Sequence, residues 1–198
     1  MSDTITPGEM YFAEQFKFPS TVPIKKQKKL RSYLYKFADN YFEAKEYLQL
    51  LKQTHELANI NDSEFIFRVS YMSIQCFALA VRRMTDSGNR SIRELLRMLV
   101  VKEEVDAVIS EIEAIYGHYS DFLNWMVAHE DIHSKQVALS AFPNTDIIDA
   151  DMKRLLELYN TIVSQICTEC IRIDSNPIDY SNEILKLAPP KSKYKNEV

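Results

Sequence analysis

Glycine is almost missing from this chain: 198 residues hold three, beside seven prolines. The residues that most readily interrupt regular backbone are therefore few. Pro7, Pro19, Pro23, Pro189 and Pro190 lie near the two ends, which leaves Pro143 and Pro177 as the internal breakers. Long uninterrupted helices are what this spacing permits. Cysteine is equally scarce, and Cys76, Cys167 and Cys170 are an odd set scattered in apolar segments. That is the pattern of reduced thiols, not of a disulfide-stapled secreted domain. No run approaches the roughly 18 to 20 consecutive apolar residues that span a bilayer. The N-terminus carries acidic and polar residues where a signal peptide has an apolar stretch. The expectation is a soluble cytoplasmic chain with no membrane partner. An excess of positive charge is missing too: the formal charge of −4 at pH 7 excludes coating of nucleic acid through bulk charge and leaves a focused patch.

What is present is a large apolar fraction. Hydrophobic residues make up 46% of the sequence, enough for a sizeable core, and the length points to one domain. Residues 1–24 mix Met10, Tyr11, Phe12, Phe16 and Phe18 with three prolines, which reads as an extended arm packing its aromatics on the body. From Lys26 to Leu57, the positions Leu30, Leu34, Phe37, Tyr41, Ala44, Leu48 and Leu51 recur every three or four residues and form one helical stripe. Asn61 and Glu64 have capping-box spacing and begin a second helix reaching Met84. Its apolar residues, Phe65, Phe67 and Met72 among them, cover nearly the whole circumference, as in the most buried helix of a bundle.

Ser91 and Glu94 repeat the capping box before a short third helix holding Ile92, Leu95, Leu96 and Leu99. Val105, Val108, Ile112, Ile115, Tyr119, Phe122 and Met126 then alternate spacings of three and four, a narrow seam for helix packing, with Gly117 as a place where this helix can bend. After Pro143, Ile148, Met152, Leu155, Tyr159, Ile162, Ile166, Cys170 and Ile173 predict a fifth helix closing before Pro177. No segment sustains a period of two, and no repeat of about 20 to 50 residues appears. The expected fold is all-α, an antiparallel bundle of four long helices plus one short one over residues 25–176, with a polar tail at 177–198.

The densest polar run ends the fourth helix and includes Asn124, Trp125, His129, Glu130, Asp131 and His133. Polar residues crowd the end of any helix, and histidine there meets a favourable dipole. Read literally, His129-Glu130-Asp131-Ile132-His133 also satisfies H-E-x-x-H, in which His129 and His133 share a face, bind zinc, and leave the glutamate to activate water. Asp131 and Ser134 stand where a metallopeptidase helix wants apolar packing, and no third ligand is evident. A di-iron bundle needs E-x-x-H twice, and the positions three before His55, His118 and His129 are Lys52, Ile115 and Met126.

A third reading comes from resemblance. Arg83-x-x-Asp86 at the end of the second helix, Ser91-Ile92-Arg93-Glu94-Leu95-Leu96, and Asn124-x-x-x-Ala128-His129-x-Asp131 together resemble the HEPN superfamily, and within it the AbiU-like abortive-infection branch. The likeness spans roughly residues 30–170. It implies a HEPN-like bundle, commonly a homodimer, in an RNA-directed or phage-defence setting, with metal-independent RNA cleavage in many members and no cofactor. By this resemblance His129 is the acid or base, and Asn124 fills the polar place that usually follows the family's arginine. Histidine shuttles a proton at a ribose hydroxyl near neutral pH while a guanidinium offsets phosphorane charge.

Leu123 stands six positions before His129, where the family's arginine would be. Loss of such a charged donor costs about two to three decades in rate. The resemblance therefore leaves two forms open: a ribonuclease with weak or absent cleavage, in which Arg82 or Arg83 replaces the lost charge, or a non-catalytic module that binds a nucleotide, RNA or a protein partner. Arginines in the last turn of a helix are also favoured by its dipole, and Asp86 lies within pairing reach of both. Asp131 and His133 either orient His129 or face water. The Lys25, Lys26, Lys28, Lys29, Arg31 cluster is a solvated helix start or a grip on RNA backbone, and Trp125 a core residue or a stacking platform. Cys167-x-x-Cys170 lacks the strand context of a redox motif and reads as small buried residues.

Overall fold

The structure, a computed structural model, describes residues 16–58, 63–88, 91–99, 102–128 and 140–168. Among these residues the fold is an all-α helical bundle with five helices: α1 Ile24–Ala58, α2 Glu64–Thr85, α3 Ile92–Leu99, α4 Lys102–Ala128 and α5 Thr145–Ile166. The one extended pairing among them is an isolated bridge at Lys17. The chain divides into two compact units, one of residues 1–41 and 81–173 and one of 42–80 and 174–198.

In the first unit α1 begins where Pro23 offers its carbonyl to the amides of Lys26 and Gln27 at 2.8 and 2.9 Å. Of the segment before it, residues 16–23 are described, and Met10, Tyr11 and Phe12 lie outside the described residues. Phe16 is fully buried, and Arg31 of α1 donates from Nε to the Phe16 carbonyl at 3.0 Å while its guanidinium covers the Phe18 ring. Arg31, one of the basic cluster, thus holds the arm. Leu30, Leu34 and Phe37 of α1 join Tyr159 and Leu155 of α5 in the core, with the Phe37 and Tyr159 rings stacked at 5.2 Å.

The seam along α4 is buried at Val105, Ile112, Ile115, Tyr119 and Phe122, and the helix runs through Gly117 without ending. Glu111 meets Arg154, and seven residues on, His118 meets Asp151, three residues earlier in α5. These contacts run in opposite senses, so α4 and α5 are antiparallel. Phe142, between them, packs edge-on against Tyr119 and Phe122.

Caps set the helix starts. Asn144 accepts from the Ile147 amide through Oδ1 at 3.0 Å and begins α5 directly after Pro143. Ser91 accepts from the Glu94 amide at 3.4 Å and begins α3. For α2 the cap observed is Ser63, whose Oγ accepts from the Phe65 amide at 3.3 Å; Asn61 lies outside the described residues.

Two expectations need correction. The fifth helix does not reach Ile173: it ends at Ile166, because Cys167 turns extended and the next amide, Thr168, donates to the Lys17 carbonyl at 2.8 Å. Pairing with the arm replaces a further helical turn. Cys167 is consequently a helix-end residue, and Cys170 lies outside the described residues.

The second correction concerns α2. Within the second unit its Phe67 and Met72 side chains are 64% and 61% exposed, whereas Ile66, Phe77, Ala78 and Ala80 are buried. Leu57 of α1 and Ile66 form a small core there with Leu50 and Phe65 packed against it. The Tyr47 phenol bonds Cys76, which with burial raises its pKa. An apolar circumference predicts the most buried helix of the bundle, but Phe67 and Met72 stand exposed on this part of α2. Arg68, Ser70, Ser73 and Gln75 interrupt any continuous apolar run, yet on average hydropathy and length α2 is the one described helix able to cross a membrane.

Candidate functional site

The described residues bring together part of the expected set. Arg82 and Asp86, at the end of α2, line a cleft of about 390 Å³ with Ser87, Arg93, Glu113 and Tyr116. All of these residues belong to the first unit. The cleft is made by the junction of α2 and α3 standing beside the first half of α4. The Asp86–Gly88 turn closes one end: Asp86 Oδ1 accepts from the Gly88 amide at 2.7 Å. A Cβ on Gly88 would stand 2.9 Å from that same oxygen, so the tight turn suits glycine.

The ion pair that sequence spacing suggested between Arg82 and Asp86 is not formed. Asp86 serves the turn, and Arg82, half-buried, has no hydrogen bond or ion pair with any described residue. Arg93 of α3, in the same lining, is only 6% exposed. Its Nη1 donates to Glu113 Oε1 of α4 at 3.0 Å, its guanidinium lies 5.6 Å from the Tyr116 ring centre, and its buried Nε has no partner.

The rest of the expected set divides. Arg83 is exposed on α2, and Asn124 is exposed on α4. Leu123 is 1% exposed and belongs to the core. His129, Glu130, Asp131 and His133 lie outside the described residues, as do Lys135 and the remainder of that segment up to residue 139. No group of three histidine, cysteine or acidic side chains suited to a metal ion occurs among the described residues.

A second polar cluster escaped the sequence reading. Asp151 on α5, 5% exposed, takes a hydrogen bond of 2.9 Å from His118 Nδ1 on α4, and the buried Tyr119 phenol interacts electrostatically with it. Burial raises the Asp151 carboxyl pKa, while His118 and, to a smaller degree, Tyr119 oppose the shift. Burial, reinforced by the Asp151 charge, pushes the Tyr119 phenol far above its ordinary value. The signal was present: Asp151 falls three after Ile148 and four before Leu155, an acidic residue on an otherwise apolar stripe. Arg93, set among Ile92, Leu95 and Leu96, is the same kind of signal.

Chemically, the cleft presents guanidinium donors from two helices, and the His118–Asp151 pair presents an imidazole oriented by a buried carboxylate. No family model, curated protein or solved structure matches the chain.

Proposed function

We infer that this chain is a HEPN-like module, working as a cytoplasmic homodimer in an RNA-directed or phage-defence setting, that binds RNA or a nucleotide and cleaves it weakly or not at all. The observation that carries the reading is the burial of Leu123. The register of α4 turns position 123 into the core and position 124 to the surface. Where the resemblance would have an arginine at a scissile phosphate, this side chain serves packing. Without that charge the transition state loses about two to three decades of stabilisation, whereas binding through phosphates needs only cations elsewhere.

The test is direct. Purified protein incubated with total RNA and chelator should leave the RNA intact over a normal assay, while anisotropy titration of a fluorescent single-stranded RNA should give saturable binding that weakens as salt rises. Rapid chelator-resistant cleavage abolished by His129→Ala would replace this reading with an active ribonuclease. Absence of any RNA or nucleotide binding would remove the nucleic-acid role altogether.

A further inference from the structure

Arg93 is an unusual residue to bury. Removing a guanidinium from water is costly unless its donors are matched, yet here Nη1 donates to Glu113 while the buried Nε has no partner. The charge is anchored from one side by Glu113 and against the face of Tyr116. Arg82 and Ser87 line the same cleft, and Arg82 has no partner among the described residues.

The carboxylates of the cleft are differently placed. Glu113 is engaged by Arg93 and Asp86 by the Gly88 amide. The formal charges of the lining balance, but the buried Arg93 Nε has no partner and Arg82 has none among the described residues, so unmatched donors are present. A ligand that meets these donors brings acceptors, and negative charge matches their guanidinium groups. A planar carboxylate is satisfied by a single guanidinium fork. Two guanidinium groups from different helices, with a hydroxyl beside them, match the several non-coplanar oxygens of a phosphate. The volume of about 390 Å³ lies at the lower end for small-molecule sites.

From this geometry we propose that the Arg82–Arg93 cleft is a binding site for a terminal phosphate monoester, held between the two guanidinium groups with Ser87 as a third donor. This inference rests on the phosphate-binding reading above and gives it a site, none of whose residues belongs to the 124–133 segment. Two sources of the group share this chemistry, a free mononucleotide and the 5′ end of an RNA.

Isothermal titration of the full chain with adenosine 5′-monophosphate, inorganic phosphate and adenosine tests the proposal. The nucleotide and inorganic phosphate should bind saturably and adenosine should not. Arg82→Gln should weaken nucleotide binding at least about tenfold, the loss expected for charge-assisted hydrogen bonds, with an unchanged melting temperature because Arg82 has no described partner to lose. Arg93→Lys keeps the charge but not the fork and should weaken binding as well. If that variant fails to fold, Arg82→Gln alone decides. Equal nucleotide affinity in wild type and Arg82→Gln, or adenosine bound as tightly as its phosphate, overturns the proposal.

An RNA decamer with and without a 5′-phosphate separates the sources: preference for the phosphorylated end identifies an RNA terminus, and no preference alongside nucleotide binding identifies the free nucleotide. RNA bound equally by wild type and Arg82→Gln, with no nucleotide binding, overturns the cleft while the broader reading stands. Loss of both RNA and nucleotide binding in the wild type overturns both.

Discussion

His118 Nδ1 lies 2.9 Å from Asp151 Oδ2, joining α4 to α5 through a carboxylate that is almost wholly buried. The pair is placed by packing: Tyr119, next to His118, is a seam residue of α4, and Asp151 sits beside Met152 on the buried stripe of α5. Burial raises the folded-state pKa of Asp151 above the ordinary 3.8. For a group shifted in that direction, the stabilisation is fully present below the unfolded pKa and is lost as pH rises through the folded value. Asparagine at this position does not titrate. The stability of the wild type relative to Asp151→Asn should therefore rise as pH is lowered from neutrality towards 4, measured as the difference in urea midpoints across that range. A difference independent of pH would contradict the assignment.

Removing the other partner has a different effect. His118→Ala leaves a buried carboxylate without its imidazole hydrogen bond, and such loss costs about 1–3 kcal/mol. Chemical denaturation at neutral pH should place His118→Ala below both the wild type and Asp151→Asn, since only the histidine variant holds the buried carboxylate without its imidazole partner.

The helical stripes were legible because each is a repeated signal: one misplaced residue does not erase the periodicity of Leu30, Leu34 and Phe37 or of Ile112, Ile115 and Tyr119. The boundaries were legible where a local signal decides them, as at Ser91 and after Pro143. The end of α5 was not, since it depends on a hydrogen bond from Thr168 to Lys17, a partner 151 residues away. Burial of α2 was misread because hydropathy says which side chains favour burial, not whether a neighbour arrives to cover Phe67 or Met72. The cleft was half visible. Arg82 and Asp86 stood out by their place at a helix end, whereas Arg93 and Glu113 come together only through the packing of α3 on α4.

Gly117 offers a stabilising substitution. It lies inside α4, and a Cβ built there meets nothing within 4 Å. Alanine at a helix interior position is favoured over glycine by about 0.5–1 kcal/mol, largely through lower entropy of the unfolded chain. Gly117→Ala should raise the denaturation midpoint by a corresponding amount and leave the circular dichroism spectrum helical. A decrease would mean that this face of α4 is covered by something in solution.

Leu123 supplies the sharpest separation between motif and packing. Introducing the arginine that the resemblance would place there puts a guanidinium at a site that is 1% exposed, with the effective cost of burying an unpaired ion running to several kcal/mol. Leu123→Ala instead leaves a cavity and should cost about 2–5 kcal/mol. Leu123→Arg should therefore lower the melting temperature rather than confer a working nuclease site, and Leu123→Ala should lower it without any change in RNA cleavage. The two variants must be compared with Asn124→Ala, one residue further along but exposed, which should leave the melting temperature within about 0.5 kcal/mol equivalent of the wild type. If Leu123→Arg melts like the wild type and cleaves RNA, its side chain has reached solvent and a phosphate, and position 123 belongs to a site instead of the core.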